Sequence, residues 1–361
     1  MNRENRILVS TRKGAFCLSS QDGRGSWQMG PPMLSGWDVY HCIEDPRDPS
    51  RLYAAANHAV WGPRIARSVD GGRTWDEPVQ SPAFAAEGDA TVKAMWFVRP
   101  GHADRPGEVW AGVDPAALFR SGDWGATWEP VPAFNNHPTR EYWQPGGGGL
   151  CLHGIVLDKT DPLEVIATVS SGGAYRSNDG GGSWTPINRG IRGSFMPDDS
   201  VPAGHCVHKL VRSTAAPNVL FQQNHCGMYR SDDAGDSWTE VTEGLPSEFG
   251  FPAAMHPRDP NTLFVAPLVG DSFRAFAEGA MAVWRSRDGG RSWTAMRDGL
   301  PQSNAYLASY RAAMATDDDD DAGVYIGTTT GHVFASRDEG DHWTKIGEYL
   351  PPVLAVEASV A

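Results

Sequence analysis

Five histidines stand at the ends of predicted strands, and they are the residues of this sequence best suited to chemistry. Three begin a strand and two end one: His41, His153 and His208, then His58 and His225. Neutral imidazole suits borderline metals, and inward-pointing strand ends can converge on one ion. The pattern predicts a divalent zinc, iron or copper ion bound by His41, His153, His208 and His225, with Glu141 or Asp114 as the next ligand. The alternative is that the histidines line a wet channel and satisfy loop backbone.

A small-molecule site at the mouth of that channel is the leading functional hypothesis. With a metal, the site would activate water or substrate as a Lewis acid, and without one the histidines would act as general acids and bases. Either version predicts a hydrolase-type or lyase-type enzyme. The expected catalytic residues are His58, His205, Arg140, Glu141 and Tyr142.

Cations at predicted strand ends suggest an anionic ligand in an otherwise acidic chain. A cleft with low-dielectric walls focuses their field on the ligand. The alternative is that each cation pairs with a neighbouring carboxylate such as Asp114 or Glu357. The expected substrate-binding residues are Arg12, Lys13, Lys93, Asp114, Trp143 and Lys209.

Four cysteines adjoin these histidines, namely Cys42, Cys151, Cys206 and Cys226. A thiolate beside an imidazole is a nucleophile or a soft metal ligand, whereas a thiol elsewhere is a common small buried residue. Burial is the favoured interpretation, and Cys206, between His205 and His208, is the first residue to test. The total of five cysteines, with no export signal recognised, predicts reduced thiols in the cytoplasm.

Charge and hydropathy exclude several classes of partner. A net charge of -13 disfavours nucleic acid and anionic membranes, which basic surfaces bind. No apolar run is long enough to span a bilayer. A small ligand in a pocket is compatible with this charge, and so is a protein partner.

An eight-residue box recurs about every fifty residues, a period typical of propellers and solenoids. Its frame is Ser-x-Asp-x-Gly-x-[Ser/Thr]-Trp. In the first copy Arg24 replaces the glycine, so that turn is expected to depart from the others. The seven copies span residues 20–27, 68–75, 121–128, 177–184, 231–238, 286–293 and 336–343.

The box resembles the Asp-box, or BNR repeat, of sialidase-like β-propellers. Each copy lies between two short strands, and a further strand pair precedes it, often around an Asp-Pro turn. Four strands in each repeat predict one propeller blade, so the chain is expected to be a single seven-bladed domain over residues 1–361. Residues 353–358 read as a spare strand that completes the first blade and leaves no open sheet edge.

Strand order places the box turns on one face and the longer loops on the other. The long loops are residues 135–152, 188–207 and 269–282, and binding residues are expected there. The aspartate run 317–321 lies in a turn on the box side, where a solvated loop is favoured over a calcium site.

Family resemblance alone suggests a sialidase, but the sequence lacks the sialidase arginine triad and its Arg-Ile-Pro type motif. A different glycosidase stays open, because Glu141 and Asp114 could supply the two carboxyl groups that such enzymes need. A third hypothesis is a non-catalytic scaffold that binds a protein, as BNR-type assembly factors do.

Overall fold

The computed structural model describes residues 4–84 and 90–360. Within these residues the chain forms one short α-helix, α1 (Pro132–Asn135), and two 3-10 helices, Pro138–Tyr142 and Ala277–Gly279. In chain order the strands are β1 (Asn5–Thr11), β2 (Gly14–Ser20), β3 (Gln28–Met29), β4 (Asp38–Asp45), β5 (Asp48–His58), β6 (Gly62–Ser68), β7 (Ala94–Pro100), β8 (Val109–Asp114), β9 (Ala117–Ser121), β10 (Glu129–Pro130), β11 (Leu152–Leu157), β12 (Val165–Val169), β13 (Gly173–Ser177), β14 (Thr185–Pro186), β15 (Val207–Arg212), β16 (Leu220–Asn224), β17 (Gly227–Ser231), β18 (Thr239–Glu240), β19 (Gly250–Met255), β20 (Leu263–Pro267), β21 (Val283–Ser286), β22 (Thr294–Met296), β23 (Met314–Thr316), β24 (Val324–Gly327), β25 (Val333–Ser336), β26 (Thr344–Gly347) and β27 (Val353–Val360).

These strands form seven antiparallel sheets, which are the blades of a seven-bladed β-propeller, as the repeat predicts. The chain divides into two compact units. The first unit, Met1–Pro32, Gly190–Arg192 and His208–Ala361, carries the sheets β27-β1-β2-β3, β15-β16-β17-β18, β19-β20-β21-β22 and β23-β24-β25-β26. The second unit, Met33–Arg189 and Gly193–Val207, carries β4-β5-β6, β10-β9-β8-β7 and β11-β12-β13-β14. The single-domain prediction stays a prediction.

One blade has three strands instead of four. After β6 the chain makes a single bridge in place of a fourth strand, in which Asp76 N donates to Arg67 O at 2.7 Å and Arg67 N donates to Asp76 O at 3.1 Å. The box between the two residues therefore still turns the chain back on itself.

The C-terminal strand completes the first blade, which confirms the predicted closure. Strand β27 pairs with β1 in antiparallel register, with Val356 opposite Val9. Val353 and Val356 are buried in one apolar cluster with Ile7 and Val9. Burial of these side chains holds the two ends of the chain in one sheet.

The box is a self-contained hydrogen-bonded turn at the end of the third strand of its blade. In the copy that begins at Ser286, the Ser286 hydroxyl donates to Asp288 at 2.8 Å and accepts from Gly290 N at 2.8 Å. Asp288 also accepts from Ser292 N at 2.9 Å. Gly290 has a φ of 90°, a conformation that favours glycine. The hydrogen bonds from Ser292 and Ser286 lower the pKa of Asp288 to about 2.

The first box keeps this turn despite its arginine. Arg24 adopts a φ of 71°, and its N-H donates to Ser20 Oγ at 2.9 Å, as the glycine does in the other copies. Its guanidinium lies 3.2 Å from the carboxylate of Asp317. This ion pair lies within the first unit and compensates for an arginine in a strained backbone conformation.

The prediction that the whole aspartate run 317–321 is solvated is wrong. Asp317 is buried, accepts from Gly323 N at 2.7 Å and accepts from Tyr325 Oη at 2.7 Å. Burial and the nearby Asp317 carboxylate raise the pKa of Tyr325. The first aspartate of the run is therefore a structural residue. Its ion pair with Arg24 offsets the free-energy cost of burying its charge.

The Asp288→Asn variant should unfold at a lower temperature than wild type at neutral pH, by about 2 °C. The amide cannot accept all the hydrogen bonds that the carboxylate accepts. Because the folded-state pKa lies below the ordinary value of 3.8, the stabilisation is present above that pH and is lost as pH falls towards 2. Thermal unfolding followed by circular dichroism should thus show a difference at pH 7 that shrinks at pH 2.

The matched control is Asp76→Asn, an exposed aspartate just outside the second box. It should leave the unfolding temperature close to wild type across the same pH range. Equal unfolding temperatures for wild type and Asp288→Asn at pH 7 would contradict a stabilising role for the charged turn.

Candidate functional site

The second unit holds two of the predicted metal ligands in its interior. His41 on β4 is fully buried and stacks on Phe97, with ring centroids 4.0 Å apart. His153 on β11 is buried, and its Nε2 donates to the carbonyl oxygen of Val207 at 3.0 Å. Packing and a backbone hydrogen bond thus fix both rings. Their role as metal ligands stays a prediction.

His58 supports the turn that follows β5. Its Nδ1 accepts from Val60 N at 3.1 Å and from Trp61 N at 3.2 Å. Its ring also packs on Trp37, with centroids 4.9 Å apart. These contacts favour the alternative in which an Asn-His pair at a strand end satisfies loop backbone. His205, the other expected acid or base, is buried in the segment before β15.

The long loop after β10 folds into α1 and a 3-10 helix, and it places Trp143 in the core. Trp143 is buried, and its indole N-H donates to Tyr175 Oη at 2.7 Å. It also packs beside Phe134, with ring centroids 5.6 Å apart. Trp143 therefore anchors the loop, and this indole is not presented to solvent as the surface of a binding site would be.

Arg140, Glu141 and Tyr142 lie on the same 3-10 helix but face different surroundings. The Arg140 guanidinium lies over the Trp143 ring, 4.5 Å from its centroid, and donates to Ala116 O at 3.0 Å. Burial lowers the pKa of Arg140. Glu141 and Tyr142 are exposed. Arg140 is half-buried, so Glu141 and Tyr142 are the more accessible of the three.

Asp114 ends β8 and combines partial burial with a nearby cation. Burial raises the pKa of its carboxyl group, and the positive charge of Lys93 opposes that shift. Lys93 is exposed, and its backbone N-H donates to Asp114 O at 2.7 Å. A β-carbon added at Gly149 would lie 3.1 Å from Asp114 Oδ2. The glycine therefore leaves one side of the carboxyl group open.

The remaining predicted cations lie in the first unit. Arg12 and Lys13 are exposed in the turn between β1 and β2, where Arg12 N donates to Pro352 O at 3.3 Å. Lys209 is half-buried on β15. Their role in substrate binding stays a prediction.

In the first unit the structure brings His208 and His225 together. Their ring centroids are 5.7 Å apart, and a ring nitrogen of each lies within 4.8 Å of the other. His208 on β15 is buried, and its Nδ1 donates to Gly250 O at 2.6 Å. His225 follows β16, with its Nε2 3.8 Å from Asp271 Oδ2.

The sequence favours buried cysteines, and Cys42, Cys151, Cys206 and Cys226 are buried in the structure.

Sequence reasoning missed two features of this chain. Phe273 and Tyr306 in the first unit are exposed aromatic side chains with ring centroids 6.5 Å apart. Phe273 lies in the insertion between β20 and β21, whose unusual length is the only signal that the sequence offers for it.

The second missed feature is a cavity of about 510 Å³ in the second unit, near the third box. Glu108 lines it, and burial raises the pKa of this carboxyl group. Trp110 Nε1 donates to Glu108 at 3.1 Å, and Arg105 lies 3.8 Å from it. Nothing in the local sequence marks Glu108 as a buried carboxyl group.

No helix in residues 4–84 and 90–360 is long and apolar enough to cross a membrane.

Comparison with known proteins finds propeller glycoside hydrolases. No protein-family model matches the chain. A xyloglucanase from Paenibacillus sp is 27% identical over 310 residues, which cover 74% of this chain and 28% of that protein. An oligoxyloglucan-reducing end-specific xyloglucanase from Emericella nidulans is 25% identical over 281 residues, covering 69% of this chain and 33% of that protein.

Among solved structures, the GH74 enzyme of Niastella koreensis superposes with a TM-score of 0.66 at 19% identity, over 93% of this chain and 51% of that chain. YCF48 from Cyanidioschyzon merolae superposes with a TM-score of 0.55 at 14% identity, over 88% of this chain and 86% of that chain. At these identities the structural likeness shows the propeller fold.

The chain thus spans about a third of the curated relatives it matches and about half of the GH74 structure. The relatives found by sequence are propeller glycoside hydrolases named for xyloglucan, and they do not point specifically to a sialidase-like repeat protein. The similarity supports a glycoside hydrolase-like chain.

Proposed function

We propose that this chain is a glycoside hydrolase that acts on a β-glucan of the xyloglucan type, with Asp114 as its general acid. The observation that carries the proposal is the Asp114 carboxyl group, whose pKa is raised by burial. The sequence similarity to xyloglucanases supplies the substrate class.

A glycosidase acid must keep its proton at a pH where an ordinary aspartate is ionised. Partial burial at Asp114 acts in that direction. The positive charge of Lys93 lowers the pKa of Asp114, so burial and Lys93 together set the pH at which Asp114 holds its proton. Gly149 keeps the Asp114 carboxyl group accessible to a substrate, because a side chain at position 149 would crowd Asp114 Oδ2.

Glu141 is the proposed second carboxylate, acting as nucleophile or base. It is exposed and belongs to the loop between β10 and β11, which also contains Gly149. Tyr142, next to it, is 40% exposed and offers an aromatic face against which a sugar ring could stack. These residues make the loop the proposed substrate-binding element of the second unit.

The Lys93→Met variant should raise the pKa of Asp114 above its wild-type value, because it removes the charge that lowers it. Carboxyl-carbon NMR titration measures this shift directly. If Asp114 is the acid, the alkaline limb of the activity profile should move to higher pH, since the proton is then held longer. Lys159→Met, an exposed lysine of the same unit, is the matched control and should move neither quantity.

The Asp114→Asn variant should hydrolyse xyloglucan about 10²–10⁴-fold more slowly than wild type, the usual loss on removing a general acid. Release of new reducing ends from xyloglucan measures the rate. Asp104→Asn, a highly exposed aspartate of the same unit, is the control and should retain full activity.

Two results would overturn the proposal. One is a wild-type chain that releases no reducing ends from xyloglucan or other β-glucans. The other is loss of hydrolysis in Glu108→Gln with full activity in Asp114→Asn, which would place the chemistry in the cavity near the third box.

A further inference from the structure

We propose that the cavity near the third box binds the carboxylate group of a small organic acid through Arg105, Arg120 and Glu108, which line it. All three residues belong to the second unit. The site is separate from the proposed general acid, because Glu108 precedes β8 and Asp114 ends that strand. A strand of this length places the two carboxyl groups about 20 Å apart. The inference therefore does not rest on the proposed hydrolase.

Two arginines give the cavity its cationic side, and neither is held in a close ion pair. Arg105 Nη1 lies 3.8 Å from Glu108 Oε2, which is longer than a hydrogen bond. Arg120 has no ion-pair partner in the part of the chain that the structure describes, and its Nη1 donates to the carbonyl oxygen of Gly180 at 3.1 Å. Its guanidinium also lies over the Trp110 ring, 5.5 Å from the centroid. Because a guanidinium has five N-H donors, both arginines keep donors for a ligand.

Glu108 supplies a carboxyl group on the buried side of the cavity. Its side chain is 10% exposed, and Trp110 Nε1 donates to its Oε1 at 3.1 Å. Burial raises the pKa of Glu108, whereas the Trp110 hydrogen bond and the charges of Arg105, Arg120 and Arg47 lower it. When it is protonated, Glu108 can donate a short, charge-assisted hydrogen bond to a carboxylate.

Other charged groups beside Glu108 are already engaged by the protein. Arg47 forms an ion pair with Asp45 at 2.7 Å and donates to the backbone carbonyl oxygen of Glu108 at 2.9 Å. Asp123 accepts from Ser121 Oγ at 2.8 Å within the third box. The two arginines that line the cavity are therefore the cations left for a ligand.

The charges around the cavity favour a carboxylate over a phosphate. Glu129 and Asp123 line the same cavity and are exposed, so two carboxylates lie beside the two guanidinium groups. Their repulsion of a ligand grows with its charge, which disfavours a dianion more than a monoanion. A carboxylate also matches the planar donor fork of arginine. Because a volume of about 510 Å³ suits a small ligand, the class that fits is a small monocarboxylate.

Binding should be coupled to the protonation of Glu108. A bound carboxylate stabilises the neutral form of Glu108, since the neutral group donates a hydrogen bond to it and the ionised group repels it. The affinity is therefore highest below the pKa of Glu108. It falls as pH rises above that pKa, by up to about tenfold for each pH unit.

The test is titration of the purified chain with acetate at mildly acidic to mildly alkaline pH, followed by NMR at the indole N-H of Trp110, which donates to Glu108. Wild type should show a saturable shift of this signal. Arg120→Gln should weaken acetate binding by at least about tenfold, because it removes a charged donor. Glu108→Gln should still bind acetate, since its amide also donates, but its affinity should not change with pH.

Arg73→Gln is the matched control, because Arg73 is an exposed arginine in the second box of the same unit. It should bind acetate as wild type does, with the same dependence on pH. Circular dichroism should show that all three variants are folded.

The proposal is overturned if acetate causes no saturable shift in wild type, or if Arg120→Gln binds acetate as tightly as wild type. It is also overturned if Glu108→Gln keeps the wild-type dependence on pH. Tighter binding of inorganic phosphate than of acetate at neutral pH would overturn the assignment to a monocarboxylate. None of these measurements uses xyloglucan, so failure of the proposed hydrolase would leave their results unchanged.

Discussion

The fold depends on one hydrogen-bonded turn, in which a serine hydroxyl and an aspartate carboxylate satisfy the backbone between two strands. In the copy that begins at Ser286, four hydrogen bonds join residues of the same eight-residue box. Because the turn needs no partner from another blade, each copy can form locally. Repetition of this turn fixes where the third strand of a blade ends and the fourth begins. The positions of the longer loops follow from these strand ends.

The first box shows what happens when the local rule is broken. Arg24 takes a positive φ that glycine adopts at little cost, and an ion pair with Asp317 compensates. The two residues are 293 positions apart. The sequence therefore shows that Arg24 departs from the frame, whereas its partner becomes visible only when the chain is folded. The same contact explains why Asp317 is buried in a run that reads as solvated.

Fold and site differ in how far the sequence predicts them. The blades and the closing strand follow from repeated local patterns, and the pairing of β27 with β1 needed only the count of strands. Site residues depend on burial, which a single sequence does not display. The sequence predicts Trp143 as a substrate-binding residue and His58 as an acid or base. In the structure Trp143 packs beside Phe134 and His58 Nδ1 accepts from the backbone of the next turn, contacts that the sequence does not display. His208 and His225 do meet, since both stand at strand ends of one blade.

The proposed general acid depends on two opposing electrostatic effects at one carboxyl group. A general acid at Asp114 needs surroundings that favour the neutral carboxyl group, and burial supplies them while Lys93 partly cancels them. The same carboxyl group therefore carries both the driving force for holding its proton and the charge that limits it, and Lys93 is the residue that sets the balance.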